Sequence, residues 1–395
     1  MLIAFTLSLS LLSARGPAPG VARDAPVRSP RDTAARTGAD TTFYVTNRAR
    51  RDGRLDRQFA DSLEYGFIVT RYREAADTSR AQRLLGRFSS ERGDSVRLTR
   101  AEFLQRVQSG DSVAAVHGEG VVLYIHGFAT SFRRAVAQGT EIAHRTQLSG
   151  PMVIFSWPAN RAPTAWPSLH ALLSRAYRQD SAFALRSADA LVATIADLRN
   201  VTRPRSLTVV GHSLGALLVT EALRMTSALR DSLTVSPLRA LVLFAPDLSA
   251  TRFRDSLAAP LESVAARRVV YVSQSDRMLA LSRLVNHSTR AGQAGAETAL
   301  AAANVEVVDV TNGLRVDNFM LRLVEPHHAM RWASSALYDF IGVVKGAPSH
   351  CRATEGIATL AGERAWRLTS AAIPVLRPSC AAAAVVDEPR PPADA

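Results

Sequence analysis

The sequence predicts a doubly wound α/β domain, a mostly parallel sheet with helices on both faces. Three observations lead there. Six short β-branched runs recur between residues 121 and 310, and segments of helix length with one apolar face separate most of them. The runs are also almost continuously apolar rather than alternating, as strands buried on both faces are. Helical crossovers between such strands imply parallel pairing.

In chain order the strands are expected at 121–125, 152–155, 207–210, 240–244, 269–272 and 305–310, the last closing the sheet. Helices are expected at 132–147, 168–199, 214–229, 278–286 and 329–343. Upstream, order begins near Thr42, with short strands at 42–45 and 65–70, and residues 74–115 read as polar helix and loop.

The ends differ in composition. Residues 2–12 are apolar apart from Thr6, Ser8 and Ser10, like the apolar stretch of a secretion signal, and Gly20-Val21-Ala22 is a small-x-small cleavage candidate, although a basic leader is missing. Residues 1–22 are therefore expected to direct export, to the periplasm or beyond, with an N-terminal membrane anchor as the alternative. Residues 23–41, rich in Pro, Ala, Arg, Ser and Asp, read as a flexible linker, 42–345 as the folded domain and 346–395 as a C-terminal extension with a frayed tail. The extension holds both cysteines, Cys351 and Cys380, which can pair in an exported chain or stay as free thiols in a reducing compartment.

A net charge of +13 over 395 residues raises the question of a nucleic-acid partner. The excess is spread out, +5 over 1–120 (19 basic, 14 acidic), +8 over 121–345 (24 and 16) and zero over 346–395 (5 and 5). No basic run extends beyond Arg48, Arg50 and Arg51, so a solvated basic surface is expected and nucleic-acid binding is not. Peripheral attraction to an anionic surface stays open.

Chemistry concentrates at Gly211-His212-Ser213-Leu214-Gly215, which follows a strand and opens an apolar helix. In that context G-x-S-x-G is a nucleophile elbow. The turn is tight enough that side chains at Gly211 and Gly215 would meet backbone, and Ser213 must adopt a strained conformation that lifts its hydroxyl to the helix N-terminus. A serine hydroxyl needs a base and an acid to orient that base, following in the order nucleophile, acid, histidine. Asp276 ends the strand 269–272 and is favoured as the acid. Asp247, one strand earlier, is the alternative, and either aspartate could simply cap a helix. The base is His327 or His328, in the loop after the final strand; a helix-capping His pair is the structural alternative. The strand 121–125 ends in His126-Gly127-Phe128, the H-G-x signature of an oxyanion loop, so the amides of Phe128 and Leu214 are the expected oxyanion donors. His126 reads as a structural hydrogen-bonding residue. Zinc-ligand spacings, phosphate-binding loops and dinucleotide fingerprints are missing, so neither metal nor organic cofactor is expected.

These residues resemble the DUF900 family of α/β hydrolases, read as serine esterases. The matching stretches are Phe43-Tyr44-Val45-Thr46-Asn47-Arg48, Ile125-His126-Gly127-Phe128 with Ser131-Phe132, Val153-Ile154-Phe155-Ser156-Trp157-Pro158, the elbow, Ala245-Pro246-Asp247, and Ser273-Gln274-Ser275-Asp276-Arg277 leading into Ala280-Leu281-Ser282. They span roughly 42–341. The resemblance implies the α/β-hydrolase fold, and spacing to Ala336-Leu337-Tyr338-Asp339 puts His327 on the family histidine. Two departures are visible. Ala129-Thr130 replaces an Asn-rich pair, and His328 stands beside the expected base where the family carries Gly-His-Ser-Tyr.

The expected function is hydrolysis of a carboxylic ester, small or lipid-like, through a Ser213–His327–Asp276 triad and an acyl-enzyme. The segment 157–177, with Trp166, His170 and prolines 158, 163 and 167, is expected over the sheet edge as part of the acyl pocket, or as ordinary packing. The same machinery would serve an amidase, thioesterase or lipase, and a non-catalytic envelope-associated binding module of this fold is the rival from another class.

Overall fold

The computed structural model describes residues 36–74, 88–159, 169–293, 305–311, 327, 334–347, 351–352, 354–356 and 365–368. Eleven strands form one sheet: β1 (Arg36–Arg51), β2 (Arg54–Glu74), β3 (Phe88–Leu98), β4 (Val122–Ile125), β5 (Met152–Ser156), β6 (Thr208–His212), β7 (Leu238–Phe244), β8 (Ala265–Val272), β9 (Glu306–Asp309), β10 (Thr354–Gly356) and β11 (Ala365–Leu368). Their order across the sheet is β10-β11-β9-β8-β7-β6-β4-β5-β1-β2-β3. From β11 to β1 every neighbouring pair is parallel, and antiparallel strands finish both edges.

Continuous burial along the strands explains their composition. All of β4, β5 and β6 is buried, with alternate side chains entering different cores. Leu123, Ile125, Val153, Phe155 and Val209 pack on one face beneath helices α1 (Arg100–Ala115), α3 (Leu169–Arg186), α4 (Ala188–Val201) and α5 (Leu214–Met225). Val122, Tyr124, Val210, Val242 and Tyr271 pack on the other, beneath α8 (Ser334–Val344), and Tyr44 and Ile154 lie against α2 (Phe132–Thr146). Each fully buried aliphatic or aromatic side chain is worth about 1.5–3 kcal/mol, so a strand covered on both faces is mostly apolar, and its few buried polar residues, Ser156, Thr208 and His212, lie at the strand ends.

The chain leaves β4 toward β5 on one side and leaves β6 toward β7 on the other. The segments after β4 and β6 therefore diverge and open a crevice at the strands' C-terminal ends, where ligands bind in sheets of this kind.

Several expectations are revised. β1 starts at Arg36, inside the segment read as linker, and runs to a two-residue Asp52-Gly53 turn with φ of 49° and 72°. An Asp-Gly turn of that geometry suits a tight hairpin. Residues 88–98 form a strand where polar helix and loop were expected; β3 is an edge strand and needs no apolar run. The expected helix at 168–199 is two, α3 and α4, broken at Ser187, whose hydroxyl donates to the Phe183 carbonyl and accepts from Asn47 Nδ2. The one at 214–229 is likewise two, α5 and α6 (Ser227–Val235), meeting at an extended Thr226. Residues 305–310 do not close the sheet, because the C-terminal extension adds β11 and β10 beyond β9. In that extension Cys351 is disulfide-bonded, while Cys380 lies outside the described residues. The apolar N-terminal segment also lies outside them, and among the described residues no helix is long and apolar enough to cross a membrane.

Candidate active site

Ser213 stands between β6 and α5 with φ 56° and ψ −120°, a conformation that costs a non-glycine residue about 1–3 kcal/mol. It is held by neighbours on both sides: its N–H donates to the Phe244 carbonyl (2.9 Å), and its own carbonyl accepts from Asp247 N–H (3.2 Å). The two elbow glycines are required by contact. A Cβ on Gly211 would come within 2.7 Å of Ala216 Cα, and one on Gly215 within 2.3 Å of the Ile125 carbonyl oxygen. The second contact seats α5 directly against the end of β4, where the loop 126–130 begins. A Cβ on Gly127 would in turn meet Ser213 Cβ at 2.7 Å.

Asp276 ends the turn after β8 and is buried. Its Oδ2 accepts from His327 Nδ1 (2.8 Å), and its Oδ1 accepts from Leu279 N–H (2.9 Å), capping α7 (Arg277–Asn286). The capping role and the role of orienting a histidine are thus filled by one carboxylate. His327 is buried; burial lowers its pKa, but the Asp276 charge and hydrogen bond, helped by Asp247, outweigh that and hold the ring above the ordinary histidine value. His327 is held from a second side as well, because His212 Nε2–H donates to its carbonyl (2.8 Å). His328 lies outside the described residues.

Asp247 has different partners. Its Oδ1 accepts from Ser282 Oγ (2.6 Å) and from Arg290 Nε (2.7 Å), in a buried ion pair. It does not cap a helix; Ser249 caps the turn that follows.

The loop after β4 is fixed by side chains from four directions. Trp157 Nε1–H donates to the His126 carbonyl (2.8 Å), and the two rings stack at 5.1 Å. His126 Nδ1–H donates to the Gly127 carbonyl (3.0 Å), and burial together with the nearby Arg48 charge lowers the ring pKa to about 3, so it stays neutral. Asp180 of α3 accepts from Ala129 N–H (2.9 Å). Arg48, fully buried in β1, donates through Nη2 to the Thr130 carbonyl (2.8 Å) and through Nε to Ser156 Oγ (3.0 Å). Burial pushes its pKa down to about 9, against the pull of the Asp180 and Asp56 carboxylates. Ala129 sits at φ 53°. Leu214 is the first residue of α5, so its N–H has no acceptor within the helix.

Ser213, Asp247, His327 and Phe128 share the wall of a cleft of about 50 Å³, completed by Tyr177, Ser282 and three apolar residues of α7, Met278, Leu281 and Val285. Of the segment 157–177, Tyr177 lines the cleft and Trp157 buttresses the loop; residues 160–168, including Trp166, lie outside the described residues, and nothing is described of the His170 side chain. Sequence reading missed Asp180, His212 and the α7 wall. Arg48 was visible only as part of a basic run and of the family stretch, since neither sequence neighbour nor spacing ties it to residue 130. Among the described residues no group of three His, Cys, Asp or Glu could hold a metal ion.

A family model described as an α/β hydrolase of unknown function (DUF900) matches residues 103–322, 220 of the 395. No curated protein matches. Among solved structures, an arylesterase is 12% identical, with 79% of this chain and 87% of that chain covered and a TM-score of 0.29. An esterase of Pyrobaculum calidifontis is 14% identical over 71% and 81% of the two chains, with a TM-score of 0.30. The esterase Est22 is 11% identical over 78% and 81%, with a TM-score of 0.34.

Proposed function

We propose, from the premise that this chain belongs to the DUF900 family of α/β hydrolases, that it is a serine hydrolase cleaving a carboxylic ester. Ser213 Oγ attacks the acyl carbon as His327 Nε2 takes its proton. Asp276 holds the imidazole with Nδ1 protonated and stabilises the imidazolium. The tetrahedral oxyanion is met by the amides of Phe128 and Leu214. Collapse expels the alcohol, which leaves with the proton from His327, and water attacks the acyl-enzyme by the same steps in reverse order of groups.

The observation that carries this reading is the 2.8 Å bond from His327 to Asp276 on the wall of the cleft that also holds Ser213. The direction of the His327 pKa supports a base, since the Asp276 bond stabilises the proton that the ring must accept. Met278, Leu281 and Val285 favour an apolar acyl group, and the small cleft favours a short one. We also read the chain as exported, because a disulfide at Cys351 persists in oxidising compartments.

The test is hydrolysis of p-nitrophenyl esters of increasing chain length by wild type, Ser213→Ala, His327→Ala and His328→Ala, with fluorophosphonate labelling alongside. Turnover and labelling that vanish in Ser213→Ala, and turnover that vanishes in His327→Ala but persists in His328→Ala, are expected. Folded wild-type protein that neither turns over any ester nor takes the label would sink the reading.

A further inference from the structure

Besides the cleft that holds Ser213 there is a second and larger one, of about 930 Å³, which also borders the loop 126–130. The two clefts meet consecutive residues of the loop: Phe128 lines the first and Ala129 the second. The tip of the β1–β2 hairpin, β3 and the start of α2 form the rest of it.

Five arginines line this cleft, Arg50, Arg51 and Arg54 from the hairpin and Arg133 and Arg134 from α2. In sequence they lie some eighty residues apart, which is why the charge along the chain looks dispersed. Arg50 is paired with Glu64. The other four are exposed and, among the described residues, form no ion pair; Asp52 and Asp56 are the only acidic residues on the same lining. Elsewhere in the molecule arginines commonly have carboxylate partners, as in Arg100–Asp197, Arg203–Asp111 and the pair Arg224 and Arg252 on Glu221. Four guanidinium groups without an ion pair, set against two carboxylates on the same lining, leave an excess of positive charge around one concavity, and a concave wall focuses its field on whatever enters. A multiply charged anion offsets that excess, and planar guanidinium forks match phosphate oxygens two at a time.

We propose that this cleft is an anion-binding site for a phosphate-bearing group, either on a soluble ester or on a lipid headgroup. Its place beside Ala129 sets a bound phosphate next to the loop that borders Ser213. The site goes beyond the hydrolase reading, and the test reads binding rather than turnover, so each can fail without the other.

The probe is inorganic pyrophosphate, titrated calorimetrically at low salt into the full chain. Wild type is compared with the charge reversal Arg54→Glu/Arg133→Glu and with an equal charge reversal outside the cleft, Arg178→Glu/Arg205→Glu, after circular dichroism shows all three folded. All four positions are exposed. Binding is expected in wild type, weakened roughly tenfold or more in the cleft variant, and changed by less than about twofold in the control. A second arm compares phosphatidylglycerol with phosphatidylcholine vesicles. Retention on the anionic vesicles that the cleft variant loses assigns the phosphate to a lipid headgroup; pyrophosphate binding without vesicle retention assigns it to a soluble compound. No binding of either probe to wild type, or equal weakening in both double variants, overturns the proposal.

Discussion

The two flanks of the cleft at Ser213 hold their groups in contrasting ways. On the base flank, His327 is oriented by a carboxylate and by the His212 ring, through the bonds Asp276 Oδ2–His327 Nδ1 and His212 Nε2–His327 carbonyl. In the proposed mechanism its protonation changes during the reaction, and its pKa lies above the ordinary value of 6.5 because the Asp276 charge opposes burial. On the flank proposed to meet the oxyanion, Arg48, His126, Trp157 and Asp180 hold backbone carbonyls and an N–H of one short loop. There His126 stays neutral down to about pH 3 and Arg48 stays charged up to about 9. Under the proposed mechanism one flank titrates within the working range and the other does not. Damage to the base flank should therefore show in the pH profile, and damage to the oxyanion flank in the rate at every pH.

The largest expected effect breaks the base flank. Asp276→Asn keeps an acceptor for the Leu279 N–H cap but loses the charge and the correct acceptor geometry for Nδ1–H. Ester turnover should fall roughly ten-thousand-fold. The sign of the pH effect follows from the causes of the shift. A neutral base is needed, so activity is lost as pH falls through the His327 pKa, which lies above 6.5 in the wild type. Without the Asp276 charge, burial prevails and the acid limb of kcat/KM moves to lower pH. An unmoved limb would mean that another group sets it.

Next comes the oxyanion flank. Asp180→Ala removes the acceptor for Ala129 N–H and the carboxylate that helps Arg48 stay charged. A loss of roughly ten- to hundredfold in kcat is expected, with KM little changed and the acid limb where it was. Normalising turnover to fluorophosphonate-titrated sites separates this from partial unfolding; full activity per titrated site would show that Asp180 is needed for folding alone.

His212→Ala sharpens the comparison, because His212 contributes to the base flank without sharing its proton. Loss of the bond to the His327 carbonyl should cost roughly tenfold in kcat. The acid limb should move far less than in Asp276→Asn, and a shift as large as that one would contradict a purely positional role.

The smallest effect is on stability. Ala129 carries φ 53°, in the left-handed region that Asn tolerates better than Ala. Ala129→Asn should stabilise the fold by about 0.5 kcal/mol and raise Tm by about 1–2 °C, read by thermal melting, with ester turnover within about twofold.

Legibility varied with the source of the signal. The elbow was readable because strand, turn and helix are local, and the two glycines are forced by contacts at Ala216 and Ile125. The choice between Asp247 and Asp276 was not local. Each follows a buried strand, and only the approach of Arg290 and Ser282 to one and of His327 to the other separates them. The breaks at Ser187 and Thr226 were hidden because the apolar pattern runs through both, and nothing in the period marks where a hydroxyl leaves the ladder. β3, β10 and β11 lie at or next to the sheet's edges, where one-sided pairing and solvent relax the demand for apolar residues that made the central strands visible.

By itself, then, the sequence determined a parallel sheet covered on both faces and the strained serine at the end of one of its strands, because burial and tight turns constrain neighbouring residues directly. Tertiary structure alone decided which carboxylate meets His327, which buried arginine supports the loop at 126–130, and that arginines some eighty residues apart line one cleft. Those outcomes depend on where strand order brings distant segments together, and strand order is fixed by the packing of the whole sheet rather than by any local pattern.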